Sequence, residues 1–216
     1  MPDTPQLLMF IAAGWLLNLT PGPDVLYIVT NALRSGARAG IVAGLGITAG
    51  CFVHIVGAAL GVGALLSASA TAFMVLKWVG AAYLFYLGAR LLLSRAGASP
   101  LAQVAAARPG AEAADLKRVF LGGFWTNVLN PKVALFFLAF VPQFIAPGAA
   151  HPTWAFLALG VLFNLNAIPV NSGWALVAAW ASRRVAVVQR GLSWLDRAAG
   201  VLFIGFGLKL ALTEKP

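Results

Sequence analysis

Thr20-Pro21-Gly22-Pro23-Asp24 interrupts an apolar run from Leu7 to Leu33, and Asn130-Pro131-Lys132 interrupts a second from Val119 to Ile145. These two stretches decide the fold. A proline inside a helix removes a backbone hydrogen bond and strikes the preceding turn, costing about 3 kcal/mol or more. A charge at membrane depth costs at least about 2.5 kcal/mol. Both costs fall at the same two places here, with opposite charges, Asp24 and Lys132. That coincidence points to function.

The rest of the chain says what kind of solvent these breaks sit in. It is 61% hydrophobic and 10% charged, with mean hydropathy +0.88, whereas soluble domains are about 45–50% apolar and about 25% charged. The apolar runs pass 18 residues without alternation, so they read as spanning helices and not as barrel strands. The expected fold is an all-α integral membrane protein with six transmembrane helices, at about 7–33, 40–66, 71–93, 119–146, 154–181 and 193–213. Residues 1–216 are expected to form a single transmembrane domain, with repeat 1 at about 7–93, a cytoplasmic loop at about 94–118 and repeat 2 at about 119–213. That loop is too polar and alanine-rich to bury a core of its own. Met1 to Gln6 contains no Lys or Arg, so the first helix is expected to be retained and not cleaved as a signal.

The formal net charge of +9 needs no nucleic acid to explain it. Arg34 and Arg38 fall in the first connection, Arg95, Arg108, Lys117 and Arg118 in the third, and Arg183, Arg184 and Arg190 in the fifth. Basic loops stay in the cytoplasm, which places both termini in the periplasm. Lys209 and Lys215 oppose this and are outnumbered. The single cysteine, Cys51, excludes an intrachain disulfide and a two-cysteine relay. One carboxylate, Asp24, and one histidine, His54, within the spans are too few for a metal site. No catalytic group, metal or cofactor is expected, and the chain reads as no enzyme.

Shifting the numbers by 110 lays Trp15 on Trp125 and Pro21 on Pro131, and Gly88-Ala89-Arg90-Leu91 resembles Gly207-Leu208-Lys209-Leu210. These matches suggest two halves of three helices each, and an odd number of spans per half inverts the second in the membrane. Inverted repeats with breaks in corresponding helices, here helix 1 at Pro21/Pro23 and helix 4 at Pro131, mark transporters whose site lies near the midplane.

Other polar residues are placed by helical spacing. Gly46, Gly50, His54, Gly57 and Gly61 share one face that another helix can approach closely. His54 then points into protein, either as a satisfied imidazole or as a proton-handling group. Asp24, Tyr27 and Asn31 form a stripe that avoids lipid. Asn164 and Asn171 share a face, with Asn166 opposite them unless Pro169 breaks the helix. Trp78, Trp154 and Trp194, near span ends, belong at the interface. The breaks permit two readings: Asp24 and Lys132 hold the ammonium and carboxylate of a zwitterion, or Asp24 complements the dipole of its half-helix while Lys132 pairs with it or snorkels.

The stretches NLTPGPDVLYIVTNALRSGARAG (18–40), VGAAYLFYLGARLLL (79–93) and GGFWTNVLNPKVALFFLAFVPQF (122–144) together resemble the LysE/RhtB family of bacterial amino-acid exporters. The resemblance covers nearly the whole chain. It implies an inner-membrane secondary exporter of amino acids or close derivatives, driven by the proton gradient and possible as a homodimer among membrane lipids. It carries the paired motifs onto Pro21, Gly22, Pro23 and Asp24 and onto Asn130, Pro131 and Lys132, and places Gln143 in the PQF element. With Asn127, Asn164 and Asn171 these are the candidate substrate-binding residues; Asp24 and His54 are the candidates for proton coupling. An exporter of another small solute or a metal ion, or an assembly protein without transport, is the alternative. Phe136, Phe137 and Phe140 offer apolar walls, and no spacing chooses the amino acid.

Overall fold

The computed structural model describes residues 3–68, 114–145 and 149–181, with scattered positions between 74 and 93 and between 197 and 211. Every regular element among the described residues is helical. Most of the third span, the loop at 94–113, the connection with Arg183, Arg184 and Arg190, and Trp194, Asp196, Lys209 and Lys215 lie outside them.

Helix α1, Thr4–Leu19, starts earlier than hydropathy suggests because Asp3 caps it. The Asp3 carboxylate accepts from Gln6 N at 2.8 Å and the Gln6 side chain returns to Asp3 N at 3.3 Å, a reciprocal capping box. After the first break, α2 covers Pro23–Ala68 and bends on itself at Ser35 and Gly36. Gly36 has φ +83°, a backbone region that glycine enters without steric cost. Gly40 returns beside Ala32 and Gly44 beside Ile28, so α2 is a helical hairpin with limbs 23–34 and 37–68. The connection expected across 34–39 is only the two-residue turn.

Helices α3 (Leu116–Val128) and α4 (Pro131–Leu135) are the halves of the second broken span, and the break bends them by 47°. Beyond α4 the chain widens into a π-helical turn, Phe136–Phe140, and tightens into a 3₁₀ turn, Val141–Phe144. Helix α5, Pro152–Ala181, runs through Pro169 without interruption. A local break there, which would have brought Asn166 round to the other asparagines, does not form. The proline is exposed, and its missing N–H is a local loss within an intact helix. Asn166 accordingly stays off the face that buries Asn164 and Asn171.

Small residues set the packing. Against the second limb of α2, α5 runs antiparallel, pairing Ala175 with Gly40, Asn171 with Gly44 and Gly160 with Ile55. Helix α3 runs parallel to the same limb, with the Phe120 and Phe124 carbonyls over Gly46 and Gly50. The expected smooth face ends there: Gly57 and Gly61 are exposed and have nothing within 4 Å.

Two apolar clusters result. One gathers Phe10, Phe136, Phe137, Phe140, Phe144, Phe156 and Phe163; the other gathers Val25, Ile28, Ala43, Ile47 and Ala175. Along the helices the buried polar residues Thr20, Asp24, Asn127, Asn130, Lys132, Asn164 and Asn171 fall between the two clusters. The outer surface is apolar, with Leu8, Phe52, Leu60, Leu129, Trp154 and Leu165 exposed. In water so much exposed apolar area would demand a partner; lipid satisfies it. By length and composition Pro152–Trp180 and Pro23–Gly61, the latter through its second limb, are long enough to cross a membrane, as is the bent pair if it counts as one span. This is a multi-pass membrane protein.

Candidate functional site

Each break leaves carbonyls at the end of one half-helix and N–H groups at the start of the next. At the first break, the Thr20 hydroxyl and backbone N–H both donate to Leu16 O, at 2.6 and 2.9 Å. Two further carbonyls, Leu17 O and Thr20 O, each accept from Lys132 Nζ at 3.0 Å. A cation at a helix C-terminus is favourably placed against the dipole, and burial strengthens the interaction. Lys132 is 6% exposed and does not snorkel towards the membrane surface. A Cβ on Gly22 would come within 3.1 Å of Lys132 Nζ, so glycine leaves the lysine its path.

The second break is closed from the other side. Asn130 caps α4, its Oδ1 accepting from Lys132 N at 3.0 Å. The Asn127 carbonyl at the end of α3 accepts from Asn130 N and faces His54 Nε2, both at 2.9 Å. A carbonyl only accepts, so the His54 ring donates there. Asn127 Nδ2 donates to Asp24 Oδ2 at 2.8 Å. Asp24 thus stands in the first turn of α2, tied to the end of α3, while Lys132 in the first turn of α4 is tied to the end of α1. Each half-helix start meets the other span's half-helix end.

The two charges make no direct contact among the described residues; their bonds go to the Asn127 amide and to the Leu17 and Thr20 carbonyls. Helix α2 begins at Pro23 and α4 at Pro131, each followed at once by its charged residue. It is therefore Pro23, and not Pro21, that holds the place of Pro131.

Asp24, Asn127, Lys132, Asn164 and Asn171 line one cavity of about 20 Å³, together with Asn18, Thr48, Cys51 and Phe163. That is room for about one water, and an amino acid needs the walls to part. Pro21, Gly22, Pro23, Asn130 and Pro131 shape the breaks without appearing in that lining. His54, half-buried, reaches it through Asn127. The expected stripe of Asp24, Tyr27 and Asn31 faces α3, where the Tyr27 hydroxyl donates to Val119 O at 3.0 Å; Asn31 instead bonds its own helix at Tyr27 O. Asn18 and Thr48 were not singled out by sequence. Asn18 lies two residues before Thr20, and Thr48 offers its carbonyl to Asn164 Nδ2 at 3.0 Å.

An apolar exterior, a buried polar layer and two broken helices meeting across it define a multi-pass membrane protein with an internal polar site. The chain belongs to the LysE type translocator family, whose model matches residues 15–214. It is a translocator and not an enzyme. It is similar to a membrane protein of Pseudomonas aeruginosa, 38% identical over 89% of this chain and 88% of the other. It is also similar to the homoserine/homoserine lactone efflux protein of Salmonella typhimurium, 34% identical over 94% of either chain. The leucine efflux protein of an Enterobacter strain is 27% identical over 94% of this chain and 93% of its own. No solved structure matches the chain.

Proposed function

We propose that this protein exports amino acids or close derivatives across the bacterial inner membrane in exchange for protons, by alternating access around the two helix breaks. The observation that carries the reading is the crossed arrangement at the breaks, with Asp24 bonded through Asn127 to one and Lys132 to the other across a shared cavity. Inverted halves of three spans, with both termini periplasmic, agree with the opposed breaks and with the basic first and third connections. In this reading Asp24, Asn127, Lys132, Asn164 and Asn171 bind substrate, and Pro21, Gly22, Pro23, Asn130 and Pro131 hold the backbone open for it. Asp24 and His54 carry the proton coupling.

The relatives' names favour one chemical feature. Homoserine, its lactone and leucine share a primary ammonium beside a carbonyl carbon, and the lactone has no free carboxylate. The test is counterflow in proteoliposomes with a panel of labelled amino acids, with and without an imposed pH gradient. Competition by at least one amino acid and acceleration by the gradient are expected. No competition by any of them refutes the exporter reading; indifference to the gradient refutes the antiport alone.

A further inference from the structure

Three buried oxygens on residues that line the cavity make no hydrogen bond within the protein: Asp24 Oδ1, Asn127 Oδ1 and Asn164 Oδ1, although the Asn130 side chain stands near the Asp24 carboxylate. What the second atom of each amide does fixes the first as an acceptor. Asn127 Nδ2 donates to the Asp24 carboxylate and Asn164 Nδ2 to the Thr48 carbonyl. A carbonyl and an ionised carboxylate cannot donate to an amide oxygen, so with Asp24 ionised the remaining atom of each asparagine is oxygen. The three side chains are 8%, 2% and 3% exposed respectively, too buried for bulk water to serve them.

An unmet buried acceptor costs about 1–3 kcal/mol, and folded interiors leave few. Three of them around one space, with one carboxylate among them, match one common group. A primary ammonium brings three donors and one positive charge. The opposite end of a zwitterion has no equally free counterpart. Lys132 Nζ has already committed two of its three donors, to Leu17 O and Thr20 O, and Asn18 Nδ2, the unpartnered donor in the wall, is neutral. A neutral amide serves a carboxylate, an ester or an amide carbonyl alike.

We infer that Asp24, Asn127 and Asn164 form a cradle for a primary ammonium, and that the protein selects its substrate by that end while tolerating a masked carboxylate. The inference rests on the exporter reading and narrows it. The experiment measures inhibition of labelled L-leucine counterflow by L-leucine, L-leucinamide and N-acetyl-L-leucine, using the full chain in proteoliposomes. Leucinamide is expected to inhibit within about fivefold of leucine and N-acetyl-leucine at least about 100-fold more weakly, the scale of lost charge-assisted bonds. Inhibition by N-acetyl-leucine equal to that of leucine overturns the cradle and leaves the exporter reading standing. Leucinamide inactive where leucine is active overturns the tolerance of a masked carboxylate. Counterflow by no amino acid in the wider panel overturns the exporter reading and the cradle with it.

Asn164→Leu tests the residue itself by a ratio that general damage does not move. The preference for leucine over N-acetyl-leucine is expected to shrink about tenfold. An unchanged ratio removes Asn164 from the cradle, and should that variant fail to fold, the inhibitor series on the unaltered chain still decides.

Discussion

The Lys132 ammonium and the Thr20 carbonyl, 3.0 Å apart, join the start of one half-helix to the end of another that lies 112 residues away in the chain. Lys132→Met keeps the length of the side chain and removes its donors, stranding the Leu17 and Thr20 carbonyls. Each buried carbonyl left without its donor costs about 1–3 kcal/mol. Detergent-solubilised Lys132→Met should therefore melt well below the unaltered protein. An unchanged Tm would show that the contact contributes nothing.

The two ends of the α2 glycine face should respond in opposite ways. A Cβ at Gly46 meets the Phe120 carbonyl, whereas Gly57 has nothing within 4 Å. Gly46→Val overpacks the α2–α3 contact and should destabilise by about 1–3 kcal/mol. Gly57→Ala should be neutral or stabilising by up to about 1 kcal/mol, since alanine favours the helix. Melting both variants side by side checks the prediction, and equal shifts would count against the packing described above.

His54 separates positioning from proton handling. The ring donates to Asn127 O at 2.9 Å, a bond that Gln can imitate and Leu cannot. If His54 only steadies the end of α3, His54→Gln should keep exchange and its gradient dependence, while His54→Leu loses about 0.5–1.5 kcal/mol of stability. Retained exchange with lost gradient dependence in His54→Gln would instead assign the proton to the imidazole. Parallel counterflow assays with and without a pH gradient read the difference.

Alternating access can be followed without engineering a label. Cys51 is the sole cysteine of the chain, lines the cavity and is 3% exposed. A methanethiosulfonate reagent should modify it slowly, and substrate turnover should change the rate as the walls part. Fast modification that no substrate alters would be incompatible with a closed cavity opening in transport.

The breaks were legible because proline and charge are local signals, each costly enough in an apolar run to need a reason. What the breaks do to each other was not. Lys132 bonds a carbonyl 115 residues away and Asn127 a carboxylate 103 residues away, and no periodicity within one helix reports such pairs. Sequence suggested that Asp24 and Lys132 compensate one another; the structure sets the two charges around one cavity, where each acts on the other electrostatically while its hydrogen bonds go to neutral partners. The turn at Ser35–Gly36 was hidden by Arg34 and Arg38, which read as loop residues although both lie within helical backbone. Pro169 erred the other way, a breaker that an otherwise strong helix carries on its exposed side. The polar lining was read in part: Asn164 and Asn171 by their spacing, but not Asn18 or Thr48, ordinary polar residues whose role lies in what they face.

The π-helical turn at Phe136–Phe140 has a mechanical consequence. A π turn holds a residue that the narrower α turn would not need, so this stretch of the second broken span carries slack. Rewinding it to α pitch would rotate everything beyond by about 100°, the angle of one residue. Phe144, which meets Phe10 edge-on at 5.2 Å and Phe140 at 5.0 Å, would swing out of its aromatic nest like a key turned in its lock.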